Sequence, residues 1–299
     1  MIKGLSEKAE ILIESLPYIK TFHSKTFVIK YGGAAMLDEN IRKDIIRDFI
    51  LLRYIGINVV VVHGGGPEIT TYLNKTGKKT EFVNGLRVTD KETTEAVQMT
   101  LVGKTNLDIV SLINLYGGKG VGLNGKDSNI ILARKRLPEL IFNHETKEEK
   151  TVDLGFVGEI EKIDPALINL LCQNNYIPII APIGVGLDGE SYNINADEAA
   201  SEIAVSLKAD KLIMVTDVDG IYESPNNPAT KIESLTIHQA KQLIDKNIIN
   251  GGMIPKVTAC INAISNGVKR THIIDGKMKH SMLLEFFTDE GIGTMVVGN

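Results

Sequence analysis

Two lysines far apart in the chain stand beside glycine-rich turns: Lys30 precedes Tyr31-Gly32-Gly33, and Lys256 follows Gly251-Gly252. A third turn, His63-Gly64-Gly65-Gly66, closes the apolar run 59–62. Each turn ends a short apolar run, 26–30, 59–62 or 248–249, and reads as the end of a strand that opens into a helix. Glycines in that position expose backbone N–H groups able to hold phosphate. Lysines nearby supply the charge that a transferring phosphoryl group needs. The chemistry indicated is the handling of phosphoryl groups.

The common nucleotide motifs are approached and missed. Gly120-Val121-Gly122-Leu123-Asn124-Gly125 has the spacing of a dinucleotide-binding turn, but 129–133 after it reads as a strand where a helix is required. We read it as a turn, which leaves a dinucleotide-dependent dehydrogenase without support. Gly125-Lys126-Asp127 lacks the Ser or Thr of a Walker loop, and Gly103-Lys104-Thr105 lacks the upstream glycine, since Gln98 stands there.

The elements that must position these residues alternate strand and helix. Strands are expected at 26–30, 58–63, 176–181, 211–216, 271–275 and 294–297, and their unbroken apolar character implies a sheet buried on both faces. Helices are expected at 40–55, 67–76, 91–102, 107–116, 165–174, 196–207, 237–246 and 255–266. This pattern predicts an α/β fold, an open and mostly parallel sheet in an α/β/α sandwich. The stretch 128–158 reads as inserted hairpins and loops, with Lys147-Glu148-Glu149-Lys150 as a solvated turn. Ahead of the first strand, Leu5, Ala9, Leu12, Ile13, Leu16, Ile19 and Phe22 form a helical stripe interrupted at Pro17. That helix packs either on its own domain or on another subunit.

With 299 residues and 43% apolar content, the chain has room for two lobes. A formal charge of −4 with no basic patch argues against nucleic acid, and no apolar stretch reaches the length of a membrane span. Glu7, Glu10 and Glu14 argue against a signal or transit peptide. Cys172 and Cys260 sit in apolar runs and read as reduced core residues, with no metal site implied.

Five motifs taken together, Lys30-Tyr31-Gly32-Gly33, His63-Gly64-Gly65-Gly66, Asn84-Gly85-Leu86-Arg87-Val88-Thr89, Asn193-Ile194-Asn195-Ala196-Asp197 and Gly251-Gly252-Met253-Ile254-Pro255-Lys256, resemble the amino-acid kinase family in order and spacing. The resemblance runs from Thr26 to the C-terminus, and within the family it is to the members that phosphorylate N-acetyl-L-glutamate. It implies ATP as phosphoryl donor, with Mg2+ held mainly by the nucleotide phosphates. It also implies an N-terminal helix at 1–24, an acetylglutamate-binding and dimerisation lobe at 25–207, and an ATP- and arginine-binding lobe at 208–299.

By that resemblance Lys30 lies toward the transferring end and Lys256 toward the leaving end of the phosphoryl group, and Asp197 holds both. Gly65 and Gly66 offer N–H groups to phosphate and substrate, Arg87 forks onto a second carboxylate, and Asn193 and Asn195 complete the substrate site. Gly33, Asp217, Gly220, Tyr222 and Ile249 are implied for ATP. No general base is needed, because an acceptor carboxylate with a pKa near ~4.3 is already ionised. Aspartate and glutamate 5-kinases carry a further C-terminal domain for which 294–297 leaves no room, and uridylate and carbamate kinases lack the Asn84 to Thr89 run.

Control is also implied. The N-terminal helix with Tyr18, together with His272, Glu285 and Gly291, resembles the arginine-inhibited members, in which that helix joins dimers into a hexamer. Glu285 would there take the arginine guanidinium. The chain as a whole is similar to members from cyanobacteria and plastids, which implies the nitrogen-signalling PII protein as a partner. Its place would be a bacterial cytoplasm or a plastid stroma. Two alternatives stay open: another carboxylate or carbamate kinase of the family, and a non-catalytic sensor of arginine or PII.

Overall fold

The computed structural model describes residues 10–36, 38–142, 149–224, 227–288 and 291–298. Leu5 and Ala9 of the N-terminal stripe, Glu7, and Lys147 and Glu148 of the charge run lie outside the described residues. Eight strands, β1 (Thr26–Tyr31), β2 (Asn58–His63), β3 (Gly120–Asn124), β4 (Ile177–Ala181), β5 (Lys211–Thr216), β6 (Ser234–Thr236), β7 (Arg270–Asp275) and β8 (Thr294–Val297), form one sheet. Its order is β6-β8-β7-β5-β1-β2-β4-β3. Neighbours run parallel except β7 and β8.

Helices cover both faces because side chains alternate along each strand. Val28, Val60, Val62, Leu212 and Met214 face one way, against α6 (Ala166–Gln173), α7 (Ala196–Ser206) and α9 (Met253–Ser265). Phe27, Ile29, Val59, Val61, Ile213 and Val215 face the other way. They meet α2 (Glu39–Tyr54), α5 (Leu107–Leu115) and α10 (Ser281–Phe287). The remaining helices are α1 (Leu16–Phe22), α3 (Gly66–Lys75), α4 (Lys91–Thr100) and α8 (Ile237–Asp245). The predicted α/β/α sandwich is the architecture found.

Three local expectations are corrected. Gly120–Asn124, read as a turn, is the edge strand β3. Its glycines are there for packing: a side chain at Gly122 would run into Asn106, and one at Gly120 would press on Ile113. Ile248 and Ile249 are not a strand but the short link between α8 and α9. The helix expected over 91–102 stops at Thr100 and continues as a π-helical turn, Leu101–Asn106, before α5.

The inserted hairpins are found: Glu139–Phe142 pairs with Glu149–Val152, so Glu149 and Lys150 of the expected turn are strand residues. Ile131–Lys135 and Gly158–Ile163 join Ile183–Val185 and Ser191–Asn193 in a second sheet. A shorter hairpin joins Phe82–Val83 to Leu86–Arg87. At the N-terminal end, residues 10–14 are helical, the helix breaks at Ser15, and α1 restarts with Pro17 in its first turn, where proline is tolerated. Phe22 anchors α1 on its own chain, edge-on to Phe27, Phe286 and Phe287, while Ile11, Leu12 and Ile13 stay exposed. Among the described residues, no helix is long and apolar enough to cross a membrane.

Candidate active site

β1 lies where the strand order switches sides, with β2-β4-β3 on one side and β5-β7-β8-β6 on the other, and ligands of such sheets bind beyond the strand ends at that switch. Lys30 lies near the end of β1, paired in register with Met214 and Val62, and shares the face of Val28 that looks toward α7. A lysine in the middle of a buried sheet demands a partner. Asp197, in the first turn of α7, provides it: Lys30 Nζ is 3.0 Å from Oδ1, and Lys256 Nζ donates to Oδ2 at 3.1 Å.

The two contacts differ in kind. The Lys30 contact is an ion pair without hydrogen-bond alignment at Oδ1. Burial presses Asp197 toward its neutral form, but Lys30 and Lys256 outweigh burial and hold its carboxyl below the usual range. Asn195 caps α7 by accepting from Asp197 N and Glu198 N, which fixes where the Asp197 backbone sits.

A cleft of about 340 Å³ opens on this triad. Its walls bring together Lys30, Lys256, Asp197, Gly65, Gly66, Arg87, Asn193 and Asn195. Gly33, expected with ATP, lines this same cleft. Gly66 begins α3, whose first N–H groups have no partner within the helix. Arg87 is 5% exposed. Its Nη2 donates to the Gly66 carbonyl and to Thr70, it lies over the Phe82 ring, and its Nη1 is buried without a partner. The Asn195 Oδ1 is committed to the cap, so what this residue can offer a ligand is its amide N–H.

A second cavity, about 570 Å³, follows β5 and β7 and is lined by Asp217, Gly220, Tyr222, Ile249 and Lys277. Gly220 has φ +145, a conformation that favours glycine, and any side chain there would press on Thr294. Tyr222 donates to Asp219 at 2.6 Å, and Lys277 Nζ holds the Asp217 carbonyl at 3.0 Å.

Three of the expected effector residues, His272, Glu285 and Gly291, form a third group, at the other end of β7. His272 Nδ1 donates to Glu285 Oε1 at 2.6 Å, and Ile292 N and Gly293 N donate to Glu285 Oε2. Gly291 lies against that carboxylate, and Tyr18 is half-buried on α1. Burial lowers the pKa of His272 despite its bond to Glu285. Lys211 Nζ completes the chain at 2.9 Å from His272 Nε2, with the Phe22, Phe27 and Phe286 rings around it; burial brings its pKa down to about 8. Sequence reading missed Lys211, and its one signal was a charge opening an otherwise apolar strand.

A family model described as amino acid kinase family matches residues 25–275. A protein of Methanothermobacter thermautotrophicus named acetylglutamate kinase is 54% identical over 286 residues, covering 96% of this chain and 98% of that one. Another of that name from Heliobacterium modesticaldum is 55% identical over 297 residues, covering 99% and 100%. Among solved structures, N-acetylglutamate synthase from Neisseria gonorrhoeae, complexed with coenzyme A and N-acetyl-glutamate, aligns with a TM-score of 0.81 at 25% identity. That match covers 97% of this chain, which spans 63% of the synthase. Carbamate kinase from Giardia lamblia bound to AMP-PNP, at 18% identity, shares the fold with a TM-score of 0.63, over 92% of this chain and 99% of that one.

Proposed function

The chain belongs to the amino acid kinase family, and from that membership we propose that it transfers the γ-phosphoryl group of ATP to the side-chain carboxylate of N-acetyl-L-glutamate. The product is N-acetyl-L-glutamyl 5-phosphate, in the second step of arginine or ornithine synthesis. Relatives named acetylglutamate kinase, above half identical over nearly the whole chain, support the assignment. The structural observation that carries it is Arg87: a buried guanidinium with an unpartnered Nη1, opening on the same cleft as Lys30 and Lys256. A fixed cationic fork beside a phosphoryl site calls for an acceptor with two carboxylates, one to be held and one to react.

In this reading the reacting carboxylate attacks in line, and the barrier lies in bringing two anions together. Lys30 offsets charge on the transferring phosphoryl and Lys256 on the leaving ADP, with Asp197 keeping both in place. Gly65 and Gly66 N–H groups donate to the transferring phosphoryl group and to the substrate carboxylate, and Asn193 and Asn195 hold the rest of the substrate. ATP fills the cavity of Asp217, Gly220, Tyr222 and Ile249, with its phosphates reaching toward Gly33. Magnesium would be held by those phosphates, since Asp197, the carboxylate beside the cleft, is committed to two lysines; when bound it neutralises phosphate charge.

Arginine as feedback inhibitor belongs to the same reading, bound at Tyr18, His272, Glu285 and Gly291, as do a hexamer built through the N-terminal helix and PII as a partner. Assay with hydroxylamine tests the reaction. An acyl phosphate formed from ATP and N-acetyl-L-glutamate is trapped as its hydroxamate, while ATP consumption without hydroxamate would contradict carboxylate transfer.

A further inference from the structure

His63 is fully buried at the end of β2, and nothing in the reaction above uses it. Its Nδ1 lies 2.8 Å from the carbonyl of Gly64, the first glycine of the cleft turn. A carbonyl only accepts, so Nδ1 carries the proton. On the other side Asn106 Nδ2 lies 3.1 Å from His63 Nε2 and 2.8 Å from the Ile179 carbonyl. That carbonyl requires the amide nitrogen there, so Asn106 donates and Nε2 accepts. Burial, opposed by the Gly64 bond, lowers the His63 pKa to about 4 and keeps the ring uncharged near neutral pH. Asn106 is itself 2% exposed and closes the π-helical turn Leu101–Asn106, a local widening of the helix that sets the direction of its side chain.

The consequence falls on the next N–H. Gly64 is pinned at both ends, its N–H to the Tyr31 carbonyl at 2.7 Å and its carbonyl to His63. A trans peptide is planar, so a Gly64 carbonyl drawn into the core points the Gly65 N–H the opposite way. Gly65 lines the cleft, and among the described residues no backbone carbonyl accepts from its N–H. Leu101, from the same π turn, occupies the space that any side chain at Gly65 would need.

We propose that His63 is a positioning residue: the imidazole, set in its Nδ1–H form by Asn106, orients the Gly64–Gly65 peptide so that the Gly65 N–H meets the transferring phosphoryl group. The proposal rests on the reading of this cleft as the phosphoryl site. His63→Asn and His63→Gln separate the clamp from space filling. The Asn amide can take the place of Nδ1 and still donate to Gly64, whereas the Gln amide reaches Asn106 instead. The Gln variant should lose roughly 10²-fold in kcat, the scale of a misplaced reacting group, with KM for both substrates little changed, and the Asn variant should keep most of the parent's kcat. Equal kcat in the two variants, or a loss confined to KM, overturns the clamp.

Nitrogen NMR of the labelled parent provides a readout that needs no variant to fold and no turnover. The His63 ring, told apart from the likewise buried His272 by assignment through its own backbone resonances, should be protonated at Nδ1 and bare at Nε2, without titrating between pH 6 and 8; the Nε2–H form or an imidazolium at His63 overturns the proposal. If the parent turns over no acceptor, the proposed function falls, and the spectrum alone decides the clamp.

Discussion

Lys30, Asp197 and Lys256 form a buried triad in which one carboxylate holds two cations that would otherwise repel. The geometry separates two kinds of effect. Lys256→Ala removes charge from the side proposed to hold the leaving group and should lower kcat by roughly 10²- to 10³-fold, as loss of one preorganised donor does, with thermal unfolding near that of the parent. Arg87→Lys keeps the charge but loses the planar fork, so it should raise KM for the acceptor by roughly 10- to 150-fold, equivalent to about 1.5–3 kcal/mol for a charged hydrogen bond. Equal KM in Arg87→Lys and parent, by steady-state kinetics, would remove Arg87 from the substrate site. At this scale the sequence was informative where glycines and cations coincide. It was silent on Lys211, because a lysine opening a strand looks like surface charge until three phenylalanines from distant segments enclose it.

Among the elements, the central strands were legible because burial on both faces leaves unbroken apolar runs such as Val59 to Val62. β3 was not, since Gly120 and Gly122 serve the helix packed on them and erase the apolar signal. The π turn was hidden for a related reason: one extra residue shifts the helical period by less than a short window resolves. Invisible too was a clasp between α2 and the start of α10, where His280 Nδ1 donates to buried Asp48 at 2.6 Å. Burial raises the Asp48 pKa to about 6, with His280 opposing. A carboxyl raised above its unfolded value of 3.8 contributes stability that is fully present below that value and is lost as pH rises through about 6. Asp48→Asn carries no such loss, so its stability relative to the parent should improve by roughly 1.4 kcal/mol between pH 5 and pH 8, one pKa unit's worth. Denaturant titrations at the two pH values check this, and a pH-independent difference would contradict it.

For the whole molecule, the strand order sets the site: later strands are added on opposite sides of β1, which carries Lys30, and both cavities open beyond strand ends at that switch. The α/β/α layering and the meeting of five sequence-distant motifs were legible in the sequence. The assembly was legible only as a choice of partners for the N-terminal helix. α1 is held to its own chain by Phe22, yet Ile11, Leu12 and Ile13 ahead of it are exposed, as a helix packing on a second subunit requires. Deleting residues 1–15 should therefore reduce the proposed hexamer to dimers by analytical ultracentrifugation, and an unchanged mass would contradict the N-terminal helix as its joint. The acceptor decides the assignment, and ADP release measured side by side with N-acetyl-L-glutamate, glutamate, aspartate and UMP identifies it. Release with N-acetyl-L-glutamate alone, abolished in Lys256→Ala, is the predicted result; equal or faster release with another acceptor would contradict the assignment.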